Sequence, residues 1–162
     1  LNATITKAIK EAAAVIAKQF SDSRIDLQNK GLTAQDATVV AEILKSNTSV
    51  TTVELSLNKE IGDEGAKALA EALKVNATVK TLHLTQYFAA GSSAPTSAPV
   101  SLDTALHYRC GIGDDGAAAL AEALRSNTSL KYLNLRHNGI SQQGKQLLRD
   151  AVAGREGFRL DL

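Results

Sequence analysis

The chain repeats itself roughly every 28 residues, and this repeat constrains the fold more than any other feature. Three stretches nearly superimpose, at residues 25–50, 50–78 and 110–135. Leu27 and Leu55 hold equivalent places in successive units. A fixed period of this length is typical of solenoids, in which each unit is one supersecondary element that stacks on its neighbours. One elongated hydrophobic core shared by successive units is therefore expected.

Each unit has two halves with different hydrophobic periods. Apolar residues alternate at Val53 and Leu55, and again at Leu82 and Leu84, which indicates strands. After Gly65 the apolar residues recur at spacings of three and four, which indicates a helix. The pattern predicts an α/β chain in which parallel strands line one surface and helices the other.

Polar residues mark the ends of the predicted helices. Asparagines stand where the helices should stop, and asparagine tolerates the left-handed backbone that a C-cap needs. Residues that suit an N-cap stand where the helices should begin. The predicted N-caps are Thr33, Gly62, Gly113 and Ser141, and the predicted C-caps are Asn47, Asn76 and Asn127.

The last complete unit reads Leu130-x-x-Leu133-x-Leu135-x-x-Asn138-x-Ile140, and this pattern resembles the leucine-rich repeat. The unit length and long helix resemble the ribonuclease-inhibitor subtype, which also occurs in NOD-like receptors, the Ran GTPase-activating protein and tropomodulin-type actin cappers. The resemblance covers about residues 24–162. It implies a curved solenoid with about five to six parallel strands on the concave side and α-helices on the convex side. It does not decide the function, because these relatives do different jobs.

The whole chain, residues 1–162, is predicted to form one domain. Residues 1–23 show a helical apolar face and are interpreted as an N-terminal helix that is either an end cap or half a repeat. Residues 24–84 are regular repeats. Residues 110–162 are regular repeats followed by a terminal strand.

Residues 85–109 break the period and contain both prolines of the chain. They form either an irregular loop inserted after Leu84 or a degenerate short repeat. Aligning residues 101–112 with 129–140 favours the degenerate repeat, because it places Ala105 at the position of Leu133. In that interpretation residues near Ala105 would add another strand to the sheet.

Composition excludes several classes of function. Eighteen Lys and Arg residues balance 17 Asp and Glu, a net charge of +1, and nucleic-acid binders normally have a large basic excess. No apolar run is long enough to span a membrane. A single cysteine cannot form an internal disulfide or supply a thiolate zinc site. We therefore expect no nucleic acid, membrane, metal or cofactor, and a cytoplasmic location.

The sequence offers weak support for catalysis. Cys110 and His107 are the only cysteine and histidine close together, and Cys110 fills a turn position of the repeat where a buried structural thiol is expected. The Gly-Asp-rich segments before two helices lack the lysine of a phosphate-binding loop. The prediction is that the protein is not an enzyme.

The strand alternation places a set of polar side chains on the concave face, where a protein partner could bind. The alternative is an ordinary solvated sheet face. Aromatic residues of the irregular segment are a second candidate surface, unless they only pack over the shortened repeat. The candidate partner-binding residues are Asp26, Glu54, His83, Tyr132, Asn134 and Arg136 on the strands, and Tyr87, Phe88 and Tyr108 in the irregular segment.

The predicted function is a non-catalytic protein–protein interaction scaffold that binds a protein partner on the concave face or the irregular loop. Two alternatives follow from the resemblance: a GTPase regulator of the Ran GTPase-activating type, and a module that binds the end of a cytoskeletal filament. Self-association is also possible through the terminal edge strands, because an unprotected strand edge invites pairing.

Overall fold

The computed structural model of the protein describes residues 23–86 and 111–162. The predicted N-terminal helix lies outside these residues, apart from Ser23. So do the candidate binding residues Tyr87, Phe88 and Tyr108. Their predicted roles stay predictions.

Short strands and longer helices alternate along the described chain, as the two hydrophobic periods predict. Each strand has three residues and each helix has 10 to 14. The elements are β1 Arg24–Asp26, α1 Ala34–Ser46, β2 Thr52–Glu54, α2 Gly62–Val75, β3 Thr81–His83, α3 Asp114–Ser126, β4 Tyr132–Asn134, α4 Gln142–Ala151 and β5 Arg159–Asp161.

The five strands form one parallel sheet in the order β1-β2-β3-β4-β5. Equivalent residues pair in register, so that Ile25, Val53, Leu82, Leu133 and Leu160 form one row across the sheet. Each helix packs on the next one along the chain, which makes a second layer. The fold is the α/β stack of repeated strand–helix units, with parallel strands in one layer and helices in the other, that the sequence predicts.

The core lies between the strand layer and the helix layer. The row residues Val53, Leu82 and Leu133 are no more than 1% exposed, and so are Leu69 and Leu120 on the helices. One continuous cluster of buried side chains extends from Ile25 to Leu148. A single unit could not bury these faces alone, so the stacking of units is what stabilises each of them.

The described sheet leaves no place between β3 and β4 for the additional strand that the degenerate-repeat interpretation would supply. Strand β3 pairs directly with β4, with Thr81 opposite Tyr132. The His83 carbonyl accepts from Leu55 of β2, and the Asn134 carbonyl accepts from Leu84 at the end of β3. Both edges of β3 are therefore occupied, and no strand containing Ala105 can lie between β3 and β4.

Helix α3 completes the unit that β3 begins, because α3 packs directly on α2. The segment after Gln86 therefore connects the strand and the helix of one unit. Its two ends are held by the solenoid: the Gln86 amide donates to the Arg136 carbonyl at 3.1 Å, and Gly111 lies against the backbone of Lys59 and Gly62.

Replacing residues 87–111 by the dipeptide Asn-Gly, which residues 138–139 supply in the next unit, should leave a folded protein. We expect cooperative thermal unfolding with a Tm within about 5 °C of the parent, because shortening a loop changes its closure entropy by only about 1 kcal/mol. Circular dichroism checks this result. Loss of cooperative unfolding would show that the removed residues are part of the core.

The predicted helix starts are correct at three positions and wrong at one. Thr33 is the N-cap of α1 and forms a capping box with Asp36, and Ser141 and Gly113 are the N-caps of α4 and α3. Gly62 is instead the first residue of α2, whose N-cap is Ile61. At Gly62 the backbone φ is +58°, a conformation that glycine adopts without strain.

The asparagines end the helices as predicted, but for a different reason. Asn47, Asn76 and Asn127 have φ near −80° and extended backbones, so none of them adopts the predicted left-handed conformation. In the later units their side chains link neighbouring units instead. The side-chain amide of Asn76 donates to the Leu44 carbonyl at 2.7 Å.

The same interaction recurs in the next unit, where the side-chain amide of Asn127 donates to the Leu73 carbonyl at 2.7 Å. Each of these asparagines also accepts from a backbone N–H of its own unit, at Val79 and Leu130. The row of cross-repeat asparagines, which we call the asparagine ladder, therefore adds hydrogen bonds from one unit to the carbonyls at the helix end of the preceding unit.

The ladder ends on an arginine. Arg155 occupies the position in its unit that Asn127 occupies in the preceding one, and its guanidinium donates to the Leu124 carbonyl at 3.1 Å and to the Leu130 carbonyl at 2.7 Å. The guanidinium also lies 4.4 Å from the centre of the Phe158 ring. Arg155 therefore replaces asparagine, in the last unit, as the side chain that donates hydrogen bonds to carbonyls of the preceding unit.

Aspartates form a second link between units at the opposite ends of the helices. The Asp63 carboxylate in α2 accepts from the amides of Gly113 and Gly116 at the start of α3, at 2.6 and 3.0 Å. Asp114 likewise accepts from Ser141 at the start of α4, and these bonds lower the pKa of the Asp114 carboxyl. The Gly-Asp-rich segments are therefore cross-repeat helix caps.

Candidate functional site

The polar face of the sheet is built from two columns of residues that the register aligns. One column runs Arg24, Thr52, Thr81, Tyr132 and Arg159, and the other runs Asp26, Glu54, His83, Asn134 and Asp161. A shorter third column follows the strand ends at Gln28, Ser56, Thr85 and Arg136. These three columns are the concave face.

Local hydrogen bonds fix the direction of several candidate side chains. A side-chain oxygen of Asp26 accepts from the amide of Gln28 two residues later, at 3.2 Å. Asn134 accepts in the same way from Arg136 at 3.1 Å. The Glu54 carboxylate accepts in the same way from the backbone amide of Ser56, also at 3.1 Å. The second column therefore presents pre-positioned polar groups rather than free side chains.

A chain of charged contacts crosses the first three strands. The Arg24 guanidinium lies 3.1 Å from the Asp26 carboxylate and 4.0 Å from that of Glu54. Nδ1 of His83 lies 3.9 Å from the same Glu54 carboxylate. Glu54 is buried, at 8% exposure. A carboxyl group in that position requires polar neighbours, and Arg24 and His83 supply them.

The chain continues across the last two strands through aromatic and charged contacts. The rings of His83 and Tyr132 meet edge to face, with centroids 5.1 Å apart. The Tyr132 hydroxyl donates to Asp161 at 2.9 Å, and the Arg159 guanidinium donates to the same carboxylate at 2.9 Å. Arg159 also lies 4.8 Å from the centre of the Tyr132 ring. Contacts therefore connect the concave face from β1 to β5.

The pKa shifts at this end of the sheet follow from the same contacts. The hydrogen bond from Arg159 lowers the pKa of the Asp161 carboxyl, and Asp161 in turn raises the pKa of Arg159. Burial raises the pKa of the Tyr132 hydroxyl, and its bond to Asp161 raises it further. Asp161 is therefore ionised and Tyr132 protonated at neutral pH.

The structure brings only some of the predicted residues into contact. Glu54, His83 and Tyr132 form a connected row. Asp26 joins that row only through Arg24, and the described hydrogen bond of Asn134 is local. The prediction omitted Arg24, Arg159 and Asp161 from the candidate site, although the register of the sequence repeats already placed all three in the columns.

Described residues show no arrangement that suggests catalysis or metal binding. In the two ranges 23–86 and 111–162 no three His, Cys, Asp or Glu side chains are grouped to hold a metal ion. Cys110 and His107 lie outside these ranges. Within them, no helix has both the length and the apolar character needed to cross a bilayer.

Comparison with known proteins agrees with this architecture. Residues 46–70, 109–121 and 126–146 match a family profile described as "Leucine Rich repeat". Among solved structures, one titled "Leiomodin-1 Actin-Binding Site 2 (ABS2)" is similar with a TM-score of 0.63 and 17% identity, over 89% of this chain and 75% of that chain. At this identity the similarity shows the fold alone. No curated protein matches.

Proposed function

We propose that the protein is a non-catalytic scaffold that binds a protein partner on its concave face. The observation that carries this proposal is the connected row of pre-positioned polar side chains that runs from Arg24 to Asp161 across all five strands. A rigid surface of this kind orders few side chains on binding, which lowers the entropic cost of forming an interface. Polar and aromatic groups such as Tyr132 are typical of protein interfaces.

Affinity capture with three versions of the chain tests the proposal. Glu54→Lys combined with Tyr132→Ala and Arg136→Ala should reduce recovery of a partner at least about tenfold, since a few central residues dominate most interfaces. The matched control is Glu122→Lys with Arg125→Glu, an exposed pair 3.7 Å apart on the helix side. Equal recovery with the wild type and the triple variant would place the site elsewhere.

The third version, in which Asn-Gly replaces residues 87–111, separates the two candidate surfaces. If Tyr87, Phe88 or Tyr108 carried the binding, this version would lose the partner while the concave-face variant kept it. Circular dichroism must first show that each version is folded. Where Glu54→Lys unfolds the chain, Glu54→Gln removes the charge at nearly the same size and replaces it in the triple variant.

A second candidate is binding of actin, and one observation favours it. The similar solved structure is titled as an actin-binding site of leiomodin-1, and the sequence resemblance includes tropomodulin-type actin cappers. Co-sedimentation with filamentous actin tests this candidate, together with a monomer-binding assay. Saturable binding that the triple variant loses would support it, and no binding to either form would remove it.

The proposal includes a cytoplasmic location and the ribonuclease-inhibitor-like subtype. A repeat length of about 28 residues supports the subtype. The long helices α1, α2 and α3 in the middle of the array also support it. Asn76 and Asn127 belong to N-glycosylation sequons, but their amide nitrogens donate to buried carbonyls, so neither can accept a glycan in the folded protein. The GTPase-regulator alternative has no contact in its favour and stays a prediction.

A further inference from the structure

We propose that the last two strands of the concave face bind an acidic segment of a partner polypeptide, through a basic cluster formed by Arg136 and Arg159. This inference rests on the proposed scaffold function and adds the chemistry of the partner. The two cations lie on neighbouring units, because β4 pairs with β5 and both guanidinium groups approach the Asp161 carboxylate. Both side chains are exposed.

The charges of the concave face are unevenly distributed. At the β1–β2 end, Asp26 and Glu54 accompany a single cation, Arg24. At the β4–β5 end the two cations of the basic cluster accompany a single carboxylate, Asp161. Within the three columns, this end therefore carries one more positive charge than negative charges.

The two arginines of the cluster are positioned for an incoming anion. Asp161 and the ring of Tyr132 hold Arg159, which uses Nε and one terminal nitrogen on the carboxylate and is still 66% exposed. Nε of Arg136 lies 3.8 Å from the same carboxylate, beyond hydrogen-bond distance, and this side chain is 56% exposed. One carboxylate is thus shared by two guanidinium groups, which keep unused donors facing solvent.

The geometry favours a carboxylate-bearing polypeptide over a nucleic acid. A guanidinium fork matches a carboxylate with two parallel hydrogen bonds. Binding of a nucleic-acid backbone needs a longer track of cations, whereas the basic cluster spans two neighbouring strands, about 4.8 Å apart. The opposite charge at the β1–β2 end would also repel an extended polyanion and fix the orientation of a peptide.

Fluorescence anisotropy with a labelled peptide of four glutamates, about 13 Å long when extended, tests the inference on the full chain. Arg136→Gln should weaken binding about fivefold, as loss of one partly exposed charge pair predicts, and Arg136→Gln with Arg159→Gln about twentyfold. The matched control is Arg24→Gln, which removes an equal charge from the same face about 19 Å from Arg159. This variant should bind within about twofold of the wild type, because only the distant β1–β2 charge changes.

Three results would overturn the inference: no binding of the peptide at low salt, an equal loss of binding in Arg24→Gln, or arginine-dependent binding of a single-stranded oligonucleotide at least as tight as that of the peptide. Arg136→Gln keeps the test valid if Arg159→Gln disturbs Tyr132, since Arg136 makes no hydrogen bond to Asp161. Failure here would leave the scaffold function standing if the concave-face triple variant still loses its captured partner.

Discussion

Asn127→Ala should destabilise the protein by about 4 kcal/mol, because three buried backbone groups lose their hydrogen bonds at about 1–3 kcal/mol each. The side-chain nitrogen of Asn127 donates to the carbonyls of Leu73 and Asn76 at 2.7 and 2.9 Å. Its side-chain oxygen accepts from the backbone N–H of Leu130 at 2.8 Å. Alanine supplies none of these bonds, and water cannot easily reach a side chain that is only 5% exposed. Urea unfolding measures the change.

Asn47→Ala is the matched control, because Asn47 occupies the equivalent position in an earlier unit and is half-buried. Its oxygen accepts from the amides of Ser49 and Val50, and its described amide contact is a 3.4 Å bond to the Ser49 hydroxyl. We expect a loss of about 1 kcal/mol, typical of a single turn-capping side chain. Equal losses at the two positions would mean that cross-repeat bonding contributes nothing.

Leu120→Ala should cost about 3 kcal/mol and lower Tm by about 9 °C, the effect of a cavity in a core that cannot collapse around it. Leu120 is fully buried at the middle of α3, and α3 packs against helices on both sides. The loss should appear as one cooperative transition at a lower temperature, because neighbouring units share the core. Differential scanning calorimetry measures both Tm and cooperativity.

Val75→Ala is the control for that substitution. Val75 is 64% exposed at the end of α2, so its truncation removes apolar surface that already contacts water. The expected change in unfolding free energy is within about 0.5 kcal/mol. Two separate transitions in Leu120→Ala would contradict the shared core, since they would show that the units on either side of α3 unfold independently.

The sequence predicted the strand register, the helices and the buried rows because these depend on local periodicity repeated at a fixed interval. Leu82 and Leu133 illustrate this: each alternates with polar neighbours, and each is buried in the same row. Periodicity also predicted which side chains share the concave face, since adjacent residues of a strand point to opposite sides.

The contacts between units were not predictable from a pattern read one unit at a time. Asn76 was expected to end its own helix through its backbone conformation, yet its side chain ends the preceding one. Asp63 lies in the first turn of its own helix, yet its carboxylate caps the following helix. A signal existed in the spacing of Asn76, Asn127 and Arg155, but reading it requires knowing that equivalent positions of successive units touch.

An additional strand between β3 and β4 was favoured because a short alignment outweighed the requirement for a complete unit. Residues 101–112 match 129–140 at several positions, but no helical half stands between Leu84 and Ala105. A strand without its own helix would leave the neighbouring helix without a packing partner. Helix α3 is therefore the helix of the unit that begins with β3. His107, at a position that leucine fills in the other units, was the residue that opposed the alignment.

The most direct test of the stack is a disulfide between β3 and β4. In a chain whose one native cysteine is removed by Cys110→Ser, the pair Thr81→Cys and Tyr132→Cys should oxidise to an intramolecular disulfide. These Cα atoms are partners on adjacent strands, about 4.8 Å apart, within the range of about 4.4 to 6.8 Å that disulfides need. The pair Thr52→Cys and Tyr132→Cys, two strands apart, should stay reduced. Loss of both free thiols in the first pair alone is the expected result. A first pair that stays reduced, as it would with another strand between β3 and β4, would contradict the account.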